Sequence, residues 1–274
     1  MEKITITNQK QYIETGHSSK GNQLKWKDEP WWYKADQMGY ESLAETVVSR
    51  ILCSSNIGEH VIYEPVQIVY QDKELMGCRS KNFLGEREEL ITLEKLFRLH
   101  TGMSLAKELA YISDTKKRIA YTVDHVISYT GLTDFGAYLT GILEMDAFFL
   151  NEDRHTNNIA MIYRLDDKSY RLCPSFDMGL SLFADMRGDF PLSKPTEDCR
   201  KDIIAKPFAR DFDEQADAAG ELYGTQLIFC ISKNEMVKEV RLYEDIYPKE
   251  VIDRVEETLR YQADKYSYMI RKKG

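Results

Sequence analysis

The stretch "NEDRHTNNIAMIY", residues 151–163, places a dense run of polar side chains directly before a short apolar run. It follows "LTDFGAYLTGILEMDAFFL", residues 132–150, whose length and apolar content are typical of a buried helix. The apolar run after it and a second one ending at Asp177 flank the polar residues 166–169, as the strands of a hairpin flank its turn. The polar run is therefore predicted to be a loop that joins a buried helix to a β-hairpin.

Three side chains around this hairpin are suited to metal-dependent phosphate chemistry. Asp153 follows the helix, Asn158 precedes the first strand, and Asp177 ends the second strand, so the three are expected to converge at one edge. A carboxylate can accept a hydroxyl proton, and an amide and a second carboxylate supply the hard oxygen ligands used in Mg²⁺-nucleotide phosphoryl transfer. The alternative is turn and cap chemistry, in which Asp and Asn are common.

The hydrophobic pattern of the rest of the chain changes after residue 82. Residues 1–82 alternate short apolar or aromatic runs with polar turns, which indicates strands, and they include one amphipathic helix around residues 40–54. From about residue 88 to Gly131 the period is helical, and a charged amphipathic helix is predicted from Pro248 to Lys273. These patterns predict an α+β protein with a small β-rich lobe at residues 1–82 and a larger, mainly helical lobe at residues 83–274.

Composition limits the classes of function. The 274 residues are 43% hydrophobic, and 37 basic and 45 acidic residues give a net charge of -8, which disfavours direct binding of nucleic acid. There is no apolar run long enough to span a bilayer and no signal-peptide pattern. A cytoplasmic protein is expected, with an effector translocated without a signal peptide as the alternative. The five cysteines lack C-x-x-C spacing, which argues against a disulfide framework or a zinc site.

The motifs "DRHTNN", residues 153–158, and "FDMG", residues 176–179, resemble the D-R-H-x-x-N and D-x-G elements of HipA-like and phosphoinositide 3-kinase-like kinases. The H-R-D order of typical protein kinases is absent, which favours the atypical branch. The resemblance implies a two-lobed protein-kinase-like fold that uses ATP and Mg²⁺. HipA itself has an additional amino-terminal subdomain, whereas here the phosphate loop begins near residue 16, so the chain resembles the shorter, CtkA-like members.

The same resemblance assigns roles to individual side chains. It implies that Asp153 is the catalytic base and that Asn158 and Asp177 are Mg²⁺ ligands. Arg154 and His155 would organise the catalytic loop, with His155 near the phosphates of ATP.

An amino-terminal stretch, "SSKGNQLKW" at residues 18–26, resembles the S-x-x-G-x-Q-x-K phosphate loop of HipA-like kinases. It would contact ATP through Ser18, Ser19, Gly21, Gln23 and Lys25. Glycine lets the backbone approach the phosphates, and a lysine offers charge. In HipA-like loops a serine at this place is autophosphorylated, so Ser18 and Ser19 are the candidates here. A plain flexible loop is an equally good explanation of the two serines.

The strand "WWYKAD", residues 31–36, contains the candidate for the lysine that pairs with the nucleotide phosphates, Lys34. Such a lysine needs an acidic partner on the following helix. Glu41 and Glu45 are one helical turn apart and share a face, so either can reach it. Glu45 is preferred. The alternatives are an edge-strand lysine and two glutamates on a solvated helix face.

Two connecting segments complete the kinase interpretation. "MGCRSKNFL", residues 76–84, is predicted to be the hinge between the lobes, with the backbone of Arg79, Ser80 and Lys81 facing the adenine of ATP. Residues 181–206 are predicted to be an activation or substrate segment, and their glycine and prolines suggest a mobile loop.

The leading hypothesis is an ATP- and Mg²⁺-dependent serine/threonine protein kinase of the HipA-like group that autophosphorylates its amino-terminal loop. Its acceptor would be a protein, and an antitoxin or other regulatory partner and a role as toxin or effector are left open. The second hypothesis is a small-molecule or phosphoinositide-type kinase, since the same catalytic pattern serves those enzymes. The third is a nucleotide-binding pseudokinase, against which the intact Asp153, Asn158, Asp177 and Lys34 count.

Overall fold

The structure is a computed structural model that describes residues 1–6 and 23–271. Its first sheet has five strands in the order β1-β4-β5-β3-β2, with β1 parallel to β4 and the other pairs antiparallel. The strands are β1 (Glu2–Thr5), β2 (Lys25–Asp28), β3 (Trp31–Ala35), β4 (Tyr63–Tyr70) and β5 (Lys73–Lys81). Ser18, Ser19 and Gly21 of the predicted phosphate loop lie outside the described residues.

Helix α1 (Glu41–Leu52) follows β3 and contacts β3, β4 and β5. Eleven of its twelve residues are buried, because it also contacts a helix near the carboxyl end of the chain. Its leucine, valine and isoleucine side chains belong to the largest hydrophobic cluster of the described residues, which otherwise comes from the helices, strands and connecting segments that follow. The sheet has a smaller core of its own, which contains Trp26, Tyr33, Ala35, Val66 and Ile68.

A second sheet has three antiparallel strands in the order β6-β7-β8, and its strand β7 follows the predicted catalytic loop at residues 153–158. The strands are β6 (Glu88–Thr92), β7 (Ala160–Arg164) and β8 (Ser169–Leu172), so the predicted hairpin is present with its turn at residues 165–168. The helical prediction was wrong for residues 89–92, because that segment pairs with β7. The helix begins one residue later, where the hydroxyl of Thr92 accepts the N–H of Lys95.

Eight further helices surround these sheets in the described part of the chain. They are α2 (Leu93–Thr101), α3 (Leu105–Ala110), α4 (Thr115–Thr130), α5 (Phe135–Phe149), α6 (Thr196–Asp202), α7 (Phe212–Tyr223), α8 (Lys233–Arg241) and α9 (Lys249–Lys265). Helix α5 is buried on all sides, as its nearly continuous apolar sequence predicts. Among the residues described, no helix is long and apolar enough to cross a membrane.

The carboxyl-terminal helix is shorter than predicted. It ends at Lys265 instead of Lys273. Residues 272–274 lie outside the described residues. After the helix, the chain pairs with the backbone of Phe229: the N–H of Phe229 donates to the carbonyl of Met269, and its carbonyl accepts the N–H of Arg271. The predicted α+β fold with a small sheet-rich part and a larger helical part is confirmed. The division between residues 82 and 83 stays a prediction.

Candidate active site

The loop between α5 and β7 is fixed where it leaves the helix. Leu150 has a left-handed backbone, φ 56°, and its N–H donates to the carbonyl of Asp146. The buried amide of Asn151 donates to Asp146 Oδ1 at 2.9 Å and accepts the N–H of Asp153 at 3.3 Å. Asn151 therefore sets the position at which Asp153 begins the loop.

Arg154 is buried under this loop and connects three parts of the site. Its Nε lies 2.9 Å from Asp146 Oδ2, and both side chains are almost completely inaccessible. Its Nη1 donates to the carbonyl of Asn158 at 2.7 Å and to the carbonyl of Phe176 at 3.0 Å. A guanidinium presents several donors in one plane, so one side chain holds both strand ends of the hairpin. Arg154 thus lies beneath the loop, in the core.

The hydrogen bonds of Arg154 hold the backbone at or next to the two predicted metal ligands, Asn158 and Asp177. The side-chain nitrogen of Asn158 donates to the carbonyl of Asp153 at 3.0 Å, which puts its amide oxygen on the opposite side of the group. Asp177, directly after Phe176, has a left-handed backbone with φ 62° that turns the chain away from the strand. An amide oxygen and a carboxylate are hard ligands of the kind that Mg²⁺ prefers, so these residues fit this ion.

Lys34 lies between two carboxylates. Along β3 the side chains alternate, so Tyr33 and Ala35 enter the core of the sheet while Lys34 points to the side of α1. Its Nζ lies 2.5 Å from Glu45 Oε1 and 2.6 Å from Asp177 Oδ1. The ammonium group of Lys34 thereby contacts Asp177, a residue 143 positions further along the chain.

Lys25 adds a second cation beside Asp177. It is the register partner of Lys34 across β2 and β3, and its Nζ lies 3.6 Å from Asp177 Oδ2. Burial alone raises the pKa of Asp177, but the ammonium groups of Lys25 and Lys34 more than offset this and hold that pKa far below its usual range. Burial lowers the pKa of Lys34, and the carboxylates of Asp177 and Glu45 in turn raise it well above its usual value. Asp177 and Lys34 are therefore both charged near neutral pH.

The two candidate glutamates of α1 have different partners. Glu45 contacts Lys34 through one oxygen and accepts the N–H of Met178 through the other at 2.9 Å. Glu41 instead accepts three backbone N–H groups in the turn before the helix, from Gln37, Met38 and Gly39. The structure thus brings Glu45, and not Glu41, to the lysine.

Gln23 marks the end of the predicted phosphate loop. Its side-chain nitrogen donates to the carbonyl of Ala35 at 3.1 Å, which attaches this residue to the strand of Lys34. Gln23 thus contacts β3 through Ala35, and Lys25 pairs with β3 opposite Lys34.

Comparison with known proteins bears on the fold. No family model matches the chain, and no curated protein matches it. A search of solved structures matches the proinflammatory kinase CtkA of Helicobacter pylori with a TM-score of 0.62, covering 96% of this chain and 94% of that one at 16% sequence identity. The chain has the fold of the CtkA kinase. The resemblance to CtkA-like kinases inferred from the sequence motifs is confirmed at this level.

In this CtkA-like fold the predicted adenine-facing residues lie inside the first sheet. Arg79 and Ser80 have register partners on both sides, in β3 and in β4. The Arg79 guanidinium stacks on Trp31 at 4.3 Å and pairs with Glu64 at 2.8 Å, and Lys81 also approaches Trp31. For Arg79 and Ser80, the prediction that the backbone faces adenine conflicts with this pairing, because a central strand uses its N–H and C=O groups in the sheet. Lys81 pairs with β3 and not with β4, so for this residue the adenine contact stays a prediction. The connection to the second sheet begins one residue later, at Asn82.

The segment predicted to be a mobile loop is held by a buried arginine of α9. Arg254 donates to the carbonyls of Phe190 at 2.6 Å, Pro191 at 2.9 Å and Lys194 at 2.8 Å. At the start of the segment, the hydroxyl of Tyr40 donates to the carbonyl of Leu182 at 2.6 Å. Arg254 was not predicted to be a buried contact, because an arginine in a charged amphipathic helix is typical of a surface position.

In the described part of the chain, the basic side chains of His155 and Lys206 lie near the two oxygens of the Asp153 carboxylate. His155 Nδ1 accepts the N–H of Asn157 at 3.2 Å, which leaves the proton of a neutral imidazole on Nε2, 3.7 Å from Asp153 Oδ2. Lys206 Nζ lies 3.7 Å from Asp153 Oδ1. This contact of Lys206 was not predicted, because the residues adjacent to Lys206 in the sequence do not indicate that it lies near Asp153.

Proposed function

We propose that this chain is an ATP- and Mg²⁺-dependent phosphotransferase that phosphorylates serine or threonine hydroxyls of proteins. The observation that carries the proposal is the placement of Lys34 within 2.6 Å of both Glu45 and Asp177, in a fold shared with a protein named as a kinase. Phosphoryl transfer depends on positioning and on electrostatic stabilisation of the phosphates, and this arrangement would contribute to both.

Each residue of the site would have one task in the transfer. Asp153 would accept the proton of the acceptor hydroxyl as its oxygen forms a bond to the γ-phosphorus, while the bond from that phosphorus to the β-phosphate oxygen breaks and ADP leaves. Lys34 would pair with the phosphates of ATP, held by Glu45. Asn158 and Asp177 would hold Mg²⁺, which when bound neutralises phosphate charge.

The acceptor is proposed to be a protein, with the chain's own Ser18 or Ser19 among its targets. Support comes from the resemblance of residues 18–26 to the phosphate loop of HipA-like kinases. A regulatory partner, such as an antitoxin, belongs to the same proposal.

Incubation of the full chain with γ-labelled ATP and Mg²⁺ tests the proposal. Label should enter Ser18 or Ser19 of the wild type, and Asp153→Asn should abolish it. Asp198→Asn is the matched control, because Asp198 is an exposed carboxylate of α6 that pairs with Lys201. Label that enters only an added inositol lipid or small alcohol would favour the small-molecule kinase. ATP binding without transfer to any acceptor would instead make the chain a pseudokinase.

A further inference from the structure

Lys206 is close to the group proposed to act as base but comes from a distant segment. Its Nζ lies 3.7 Å from Asp153 Oδ1, and the two side chains are 34% and 15% exposed. The contact is therefore partly shielded from water, where a charge acts more strongly than on an open surface. Among the described residues, Asp153 ion-pairs with His155 of its own loop and with Lys206 from this distant segment.

The loop that carries Lys206 is fixed by the surrounding helices. The N–H of Ala205 donates to the carbonyl of Arg210 at 2.9 Å and closes the loop on itself. Arg118 of α4 donates to the carbonyl of Phe208 at 2.7 Å, and the side-chain oxygen of Gln215 of α7 accepts the N–H of Phe208 at 3.2 Å. Both helices thus hold the backbone next to Lys206, which distinguishes it from a lysine on a free surface loop.

Lys206 also borders a cavity beside the catalytic loop. The cavity has a volume of about 420 Å³ and is lined by Glu152, Phe190 and residues 204–210, among others. This volume is within the range of ligand pockets, roughly 300 to 1,000 Å³. Glu152 directly precedes Asp153 and Lys206 pairs with Asp153, so the cavity lies next to the proposed base on the side of Lys206.

We propose that Lys206 is a catalytic residue whose ammonium group binds the γ-phosphoryl oxygens from the acceptor side during transfer. The inference rests on the proposed function. The base must lie within hydrogen-bond reach of the acceptor hydroxyl, and that oxygen lies about 3 Å from the phosphorus it attacks. A lysine within 4 Å of the base, on a flexible four-carbon stem, therefore reaches the phosphoryl oxygens. The hydroxyl proton goes to Asp153, so Lys206 takes part in no proton transfer.

The test compares Lys206→Met and Lys206→Arg with the wild type in γ-labelled ATP autophosphorylation and in Mg²⁺-ATP hydrolysis. Loss of an electrostatic contact made in the transition state should lower kcat of K206M about 10- to 100-fold. KM for ATP and the affinity for a fluorescent ATP analogue should stay within about twofold of wild type, because uniform binding is untouched. K206R, which keeps the charge, should recover part of kcat.

Lys249→Met is the matched control, since Lys249 is an exposed lysine that pairs with Asp253 on α9. It should match the wild type in both assays, and the melting temperature of each variant reports folding. An active wild type with an equally active or faster K206M would overturn the role of Lys206; a faster variant would mean that the lysine blocks the acceptor position. A wild type that transfers no phosphate would contradict the proposed function itself, and the role of Lys206 with it.

Discussion

The four charged side chains at the centre of the site balance one another. Lys25 and Lys34 face Glu45 and Asp177, and the exposed fraction of each side chain is below 20%. Removing one member of a buried pair leaves an uncompensated charge, whereas a balanced set is tolerated. Lys34 keeps Asp177 as a partner when Glu45 changes, so the two carboxylates can be tested separately.

Glu45→Gln is expected to weaken ATP binding about tenfold, because Lys34 loses the charge that orients it toward the phosphates. Isothermal titration with ATP and Mg²⁺ measures the affinity. Glu41→Gln is the control on the same helix, since Glu41 caps the backbone of residues 37–39 and does not contact the lysine. Equal losses of affinity in the two variants would contradict the assignment of Glu45.

Asp36, in the turn before α1, is a carboxylate with a raised pKa. It accepts the N–H of Ser42 at 2.6 Å and the hydroxyl of Tyr247 at 2.9 Å, which ties α1 to the segment before α9. Burial, and then the nearby Glu41 carboxylate, raise its pKa to about 7. The folded protein therefore holds this proton more tightly than the unfolded chain does.

This raised pKa predicts a pH dependence of stability. The contribution of Asp36 is fully present below about pH 4, the pKa in the unfolded chain, and is lost as the pH rises to about 7. The loss is at most on the order of 1 kcal/mol per pH unit. Asp36→Asn should remove it, so urea unfolding should show the variant more stable than wild type at about pH 8 and the two alike at about pH 4. A constant difference between the two proteins across this range would contradict the assignment.

At the scale of elements, α9 fixes the segment that follows Asp177. Three carbonyl groups of residues 190–194 converge on Arg254, and Thr196 at the start of α6 donates to Glu257 one turn further along α9. The segment is thus ordered by contacts that need no added phosphate group. The conformation of this segment therefore depends on the position of α9.

Arg254→Met is expected to lower the free energy of unfolding by about 3 kcal/mol, because the carbonyls it bonds lose their donor while buried. Arg260→Met, which removes a surface pair with Glu256 on the same helix, should cost below about 1 kcal/mol. Urea denaturation of the two variants compares them. Similar small costs would show that the segment does not depend on Arg254.

At the scale of the whole molecule, α1 contacts three strands of the first sheet, but its apolar side chains belong to the helical core. Its apolar residues share the large hydrophobic cluster with α5, α8 and α9, while β2 and β3 pack in the small cluster around Trp26. Stability is distributed unevenly in proteins, and elements that share a core open together. The position of Glu45 is therefore coupled to the helical core.

Hydrogen exchange under native conditions should reflect this grouping. Amides of α1 are expected to exchange as slowly as those of α5, and those of the β2–β3 hairpin at residues 25–35 faster than both. Peptide-level exchange followed by mass spectrometry measures the three rates. Exchange of α1 at the rate of the hairpin would place the helix in the unit of the sheet instead.

Several features of this protein were accessible from the sequence because they depend on neighbours in the chain. The buried helix α5, the loop "NEDRHTNN" and the hairpin after it follow from local hydrophobic period and turn residues. The strand at residues 89–92 was misread as helix, since its partner β7 lies about 70 residues away and pairing overrode local period.

The sequence by itself identified the side chains that are proposed to carry the chemistry and the local elements in which they lie, because motifs and periodicity act over a few residues. The tertiary structure decided which of them meet. It brought Glu45 rather than Glu41 to Lys34, placed Arg79 and Ser80 inside a sheet, and set Lys206 beside Asp153. These contacts join positions that are distant in sequence, and they depend on how buried helices pack, which no local pattern encodes.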